Sequence, residues 1–265
     1  MLPRVDFEVR KRTKSTEPNA KIETAVRRYI EKTGYTEAIG ETIKGDKVTS
    51  VELKEFLLHN IAEFTACDET PCSKEEFEIG DIFIFALSRM TPEEETLENE
   101  NEDIAACQIW TLPSKDFHGQ WEALHMEPDV KRNLLHFSRS SMFFAERGVA
   151  DHLISWNKVI LLHGPPGTGK TSLCKALAHK LAIRQVPAKY SGAMLLEINA
   201  HSLFSKYFSE SGKLVMKMFA RIKEYLEDRR SFVVILIDEV ESLTAARSGK
   251  VRNVSKKFQK IKSKN

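Results

Sequence analysis

Residues 164–171 read Gly-Pro-Pro-Gly-Thr-Gly-Lys-Thr and follow directly on the apolar run Val159, Ile160, Leu161, Leu162. An apolar strand, a glycine-rich loop and a helix starting near Ser172 form the arrangement that cradles a polyphosphate. Gly164, Gly167 and Gly169 let the backbone turn tightly and aim N–H groups inward. Pro165, Pro166 and Thr168 complete the loop. Lys170 is placed to reach β- and γ-phosphates, and the Thr171 hydroxyl to hold Mg²⁺.

A second signal lies about 68 residues further on. Residues 231–237 are continuously apolar and rich in β-branched side chains after the leading serine, as in a parallel strand buried on both faces. The run ends in Asp238-Glu239. An acid at the carboxyl end of such a strand suits the Mg²⁺ shell, which assigns Asp238. The next acid suits polarisation of an attacking water, which assigns Glu239. Alone the Asp-Glu ending is weak; behind a phosphate loop it points to Mg·ATP binding with hydrolysis. The catalytic candidates are Glu239 and Lys170, and the metal candidates Thr171 and Asp238.

A chain of 265 residues with 42% hydrophobic content can build one or two cores. It has no apolar run long enough to span a membrane, and residues 1–6 do not read as a secretory signal. Cys67, Cys72, Cys107 and Cys174 lack metal-binding spacing and read as reduced thiols. Residues 249–265 carry seven Lys or Arg and no acid, so the overall charge of +2 leaves −5 for residues 1–248. The main body is therefore mildly acidic, and direct nucleic-acid binding is not expected.

Residues 1–91 suggest a small α+β domain: Val5, Phe7 and Val9 alternate with charged residues as in a half-buried strand, residues 21–32 have helical spacing, and 48–53 and 79–87 read as strands. His59 stands alone and reads as structural. Residues 92–125 read as an acidic linker, with seven acids over 92–103, and an aromatic connector containing Trp110, Phe117 and Trp121. Residues 126–247 switch to strand and helix in alternation, with strands at 159–163, 195–199 and 232–238 and helices at 172–182 and 211–227. The fold class is α/β: the front half of a P-loop nucleotide-binding sheet behind an α+β N-terminal domain. Residues 248–265 form a basic tail.

These motifs resemble AAA+ ATPases. The words Ser155-Trp156-Asn157, Leu161 to Gly167, Thr171 to Ala178, Asp238 to Arg247 and Phe117-His118-Gly119 narrow the resemblance to the pachytene checkpoint protein 2 / thyroid receptor-interacting protein 13 family. The likeness implies an ATP- and Mg²⁺-dependent homo-hexamer that remodels HORMA-domain proteins with the help of a HORMA-type adaptor. It implies work in spindle-checkpoint silencing and on meiotic chromosome axes, in nucleus and cytoplasm and away from membranes. It also places Lys206, Tyr207 and Phe208 in a pore loop that grips substrate polypeptide, and gives residues 1–104 the reception of substrate and adaptor.

In that family a sensor strand, an arginine finger and a helical lid follow the Asp-Glu strand. They would lie past Arg247, and the basic tail does not resemble them, so the ATPase unit is expected to be incomplete and slow by itself. The alternative is a truncated, non-enzymatic form or gene-model fragment that binds adaptor or substrate without turnover. A DNA-linked clamp-loader reading is disfavoured by the Lys206–Phe208 segment and the acidic body.

Overall fold

The computed structural model describes residues 4–33, 50–67, 77–97, 104–149, 158–186, 189–200 and 211–240. Its N-terminal unit comprises β1 (Arg4–Lys11), α1 (Asn19–Thr33), α2 (Val51–Asn60), β2 (Ile61–Ala66) and β3 (Glu78–Phe85). β1 is the central strand, antiparallel to β2 and parallel to β3. Its odd-numbered residues Val5, Phe7 and Val9 pack with Ile22, Val26, Tyr29 and Ile30 of α1 and with Leu57 of α2. Residues 51–53, expected in a strand, are helical instead. Ser50 caps the helix by accepting the Leu53 N–H at 3.2 Å, and this local bond decides a short apolar run that periodicity leaves open.

The second sheet has the order β4-β5-β6-β7, from Glu93–Leu97, Ile104–Leu112, Gly192–Asn199 and Ser231–Asp238. β6 and β7 are parallel, with Asn199 opposite Asp238, while β5 runs antiparallel to both β4 and β6. The acidic stretch and the connector therefore contribute two strands, where a solvated linker was expected. Acids on β4 suit a sheet edge, because charge discourages further strands from adding there. Glu95 also finds partners across the sheet: Arg221 at 2.5 Å and the Tyr225 hydroxyl at 2.9 Å. Both sit on α6 (Ser211–Glu227), the helix expected at 211–227, which buries Met218 and Ile222 against β5 and β6.

Residues 159–163 belong to neither sheet, against the expectation of a buried strand. A parallel strand with two apolar faces is stable only between neighbours. Among the described residues none flanks this one, and Val159 and Leu161 remain 73% and 70% exposed.

The helix following the loop, α5 (Lys170–Gln185), holds the molecule together. It buries Leu173, Ala176, Leu177, Ala178, His179, Leu181, Ala182, Ile183 and Arg184, so no side of it is left wholly polar. A helix without a polar face must be covered all round. One side packs on the second sheet through Ala178, Ala182, Leu195 and Leu236, and another packs on Leu135 of α4 (Pro128–Glu146). The remaining side meets β1. There Glu8, which alternation alone would send to solvent, is covered: it is only 5% exposed and lies 2.6 Å from Lys180 and 3.5 Å from Arg184. Lys180 also reaches Glu122 of α3 (Gln120–Ala123) at 2.8 Å. Burial opposes the charge on Lys180, but the two carboxylates outweigh it and hold its pKa above the ordinary value.

His179 is buried beside this cluster, and neither ring nitrogen has a hydrogen-bond partner among the described residues. Burial, then the charge of Lys180 and the neighbouring His118, lower its pKa from 6.5 to about 3, against a smaller opposing effect of Glu122. The unfolded chain takes up this proton below pH 6.5 while the folded chain refuses it until about 3, so stability falls as the pH drops through that window. The expected loss from this group is about 2 kcal/mol at pH 5. Chemical denaturation of wild type and His179→Leu at pH 7 and pH 5 checks it: the variant should lack this share of the pH dependence.

Candidate functional site

The phosphate loop lies open at the N-terminal end of α5. Gly167 and Gly169 adopt φ of 76° and 79°, a region that side-chain-bearing residues avoid. At Gly169 a Cβ would also come within 3.3 Å of Met126 Cε and 3.5 Å of Leu124 Cδ2, so the connector packs directly on the loop. Nothing in the spacing of Leu124 or Met126 marks them as loop supports; the contact exists only in three dimensions. Within the loop, Thr168 Oγ1 donates to the Pro165 carbonyl at 2.9 Å. Lys170 Nζ donates to the carbonyls of Gly164 and Pro165 at 3.1 and 2.8 Å, which folds its ammonium back over the loop.

The two motifs found in the sequence meet. Thr171 Oγ1 donates to Asp238 Oδ2 at 2.9 Å, across 67 residues of chain. A hydroxyl and a carboxylate side by side are hard oxygen donors, the set that Mg²⁺ takes while keeping several waters. The ammonium and the helix N-terminus beside them suit phosphate oxygens. The residues present therefore fit Mg²⁺ and a polyphosphate together. Asp238 Oδ1 accepts the Glu239 backbone N–H at 3.0 Å. Glu239 has φ of 53°, uncommon for a residue with a side chain, at a cost of about 1–2 kcal/mol. Its side chain is exposed at the end of β7.

A further pair supports the same helix. Lys175 lies 2.6 Å from Glu197 of β6, which also accepts the Trp110 Nε1–H at 2.9 Å. The Lys175 ammonium stands over the rings of Trp110 and Phe117, themselves 4.7 Å apart. The connector aromatics Trp110 and Phe117 thus pack against the nucleotide-site helix. Cys174, one turn along α5, is a partly buried free thiol whose pKa is raised by burial. Lys206, Tyr207 and Phe208 lie outside the described residues, as does the basic tail. Among the described residues, no helix is long and apolar enough to cross a membrane.

The profile of the ATPase family associated with various cellular activities (AAA) matches residues 160–261, a span that takes in the loop, Asp238 and Glu239. The chain is 43% identical over 253 residues to the pachytene checkpoint protein 2 homolog of Rattus norvegicus, covering 93% of this chain and 56% of that protein. It is 58% identical over 167 residues to the homolog of Gallus gallus, covering 63% and 38% respectively. Among solved structures, that of C. elegans PCH-2 superposes with a TM-score of 0.70 at 32% identity, covering 92% of this chain and 61% of that one. The chain spans about half the length of the curated relatives it matches. With an AAA match over the nucleotide site and this likeness along nearly its whole length, the chain is a member of the AAA ATPases and belongs with the pachytene checkpoint protein 2 homologs.

Proposed function

We propose that the chain is the substrate-receiving and nucleotide-binding part of an ATP-driven remodeller of HORMA-domain proteins. The observation that carries the nucleotide half of this reading is the Thr171–Asp238 contact at 2.9 Å, beside a lysine at a glycine-rich helix N-terminus. Lys170 turns from the loop carbonyls to the β- and γ-phosphates, and the glycine N–H groups cradle the remaining oxygens. Thr171 and Asp238 would hold Mg²⁺, which when bound neutralises charge on the phosphate oxygens. Glu239 orients the attacking water and accepts its proton. Likeness to pachytene checkpoint protein 2 homologs supports HORMA-domain proteins and a HORMA-type adaptor as partners, a hexameric assembly, and work in checkpoint silencing and on meiotic chromosomes, in nucleus and cytoplasm. In this reading Lys206, Tyr207 and Phe208 form the loop that grips the substrate, with the Tyr207 ring wedging against its backbone and Lys206 keeping the loop solvated.

A second reading, capture without turnover, is favoured by the placement of 159–163 outside both sheets, which leaves the loop without a strand to anchor it. Co-purification of the chain with a HORMA-domain protein, with ATP hydrolysis measured on the mixture, separates the two. The first reading expects capture together with hydrolysis that rises on addition of the HORMA protein and is lost in Glu239→Gln. Capture with hydrolysis no different from Glu239→Gln selects the second. Absence of capture overturns both.

A further inference from the structure

Helix α5 joins two things that the sequence keeps apart. Its first residues, Lys170 and Thr171, belong to the phosphate site. Ten residues on, about 15 Å along the axis, Lys180 is clamped to the N-terminal sheet. The clamp is closed to solvent: Glu8, Lys180 and Arg184 side chains are 5%, 12% and 6% exposed. Between these points Lys175 ties the same helix to the second sheet through Glu197. Since the helix is packed on both sides, any change in how β1 sits against it is carried along its length as a rigid movement. Buried ion pairs are strongly directional, because a carboxylate that loses its partner in low dielectric has no water to replace it.

We propose that Glu8, acting through Lys180 and Arg184, is a positioning residue that links docking of the N-terminal sheet to nucleotide binding at residues 164–171. The proposal rests on the reading of that loop as a nucleotide site. With the pair intact, α5 holds Lys170 and Thr171 at the geometry set by Asp238. With the pair broken, α5 relaxes away from β1 and the phosphate contacts loosen. Linkage is reciprocal, so bound nucleotide also strengthens the hold of α5 on the N-terminal sheet. A ligand that pulls the N-terminal unit off α5 would then be felt at the phosphates. This gives the protein a route by which engagement at one end alters nucleotide affinity at the other.

The test is nucleotide affinity, measured with a fluorescent ADP analogue in Mg²⁺, beside thermal unfolding without nucleotide. Glu8→Gln and Lys180→Met should each weaken binding about tenfold, within the usual range for coupled sites. The double variant should bind no worse than either single one, because one interaction is lost in all three. Glu122→Gln, at the exposed side of the cluster, should weaken binding by a smaller factor of about three and keeps the test alive if the Glu8 and Lys180 variants fail to fold. Ile22→Val, in the N-terminal core away from α5, should lower the unfolding temperature and leave affinity unchanged. If the cluster variants melt earlier but bind like wild type, the pair is merely structural and the proposal is overturned. If wild type itself binds no nucleotide, while its fold is intact, the phosphate-site reading is what fails, and this coupling fails with it.

Discussion

Lys170→Ala is expected to weaken ATP binding by at least about 100-fold while leaving the fold intact. Among the described residues its ammonium bonds only to the loop carbonyls of Gly164 and Pro165, so removing it breaks no long-range packing among them. What it removes is a cation from a site that receives several phosphate charges. Two or more charge-assisted hydrogen bonds at about 1.5–3 kcal/mol each exceed the ~2.7 kcal/mol that corresponds to a factor of 100. The unfolding transition without nucleotide should move little, since only two exposed hydrogen bonds within the loop are lost. Calorimetric titration with ATP, read against unfolding curves of the same preparations, checks both halves. A variant that binds within threefold of wild type would show that the loop is not the phosphate site.

Lys180→Ala is expected to strike the fold as well as the nucleotide site. It is expected to cost about 3–5 kcal/mol of stability, because it leaves Glu8 buried with less compensation than its charge requires. The pH dependence sharpens the point. The folded-state pKa of Lys180 is raised, so its stabilising contribution is fully present below the ordinary lysine value of 10.5 and is lost as pH rises through the higher folded value. Near neutral pH the whole contribution is in play. Urea titration at pH 7 should show a midpoint far below that of wild type, with the slope unchanged if the fold is the same. A shift of less than 1 kcal/mol would mean that the pair is screened by water and that β1 does not close on α5.

The nucleotide half of the molecule was largely legible. A glycine-rich loop, a helix behind it and a strand ending in Asp-Glu are local patterns, and the fold had only to bring Thr171 and Asp238 together. The helices at α1, α5 and α6 and the strand β3 followed from periodicity for the same reason. What could not be read depended on distant partners. The acids of Glu93–Leu97 look like a solvated linker until Arg221 and Tyr225 are placed opposite Glu95. Glu8 looks like the polar side of a half-buried strand until Lys180, 172 residues away, covers it. The apolar run at 159–163 misled in the other direction: composition called for a strand, but strand formation needs a neighbour that the described residues do not supply.

The most direct measurement is one titration: the purified chain against a fluorescent ATP analogue in Mg²⁺, repeated in EDTA, for wild type and Asp238→Asn. A Mg·ATP site at Thr171 and Asp238 predicts saturable binding that ADP displaces, that weakens at least about tenfold in EDTA, and that loses most of this metal dependence in Asp238→Asn. Binding that is absent, or that is the same with and without Mg²⁺, would contradict it.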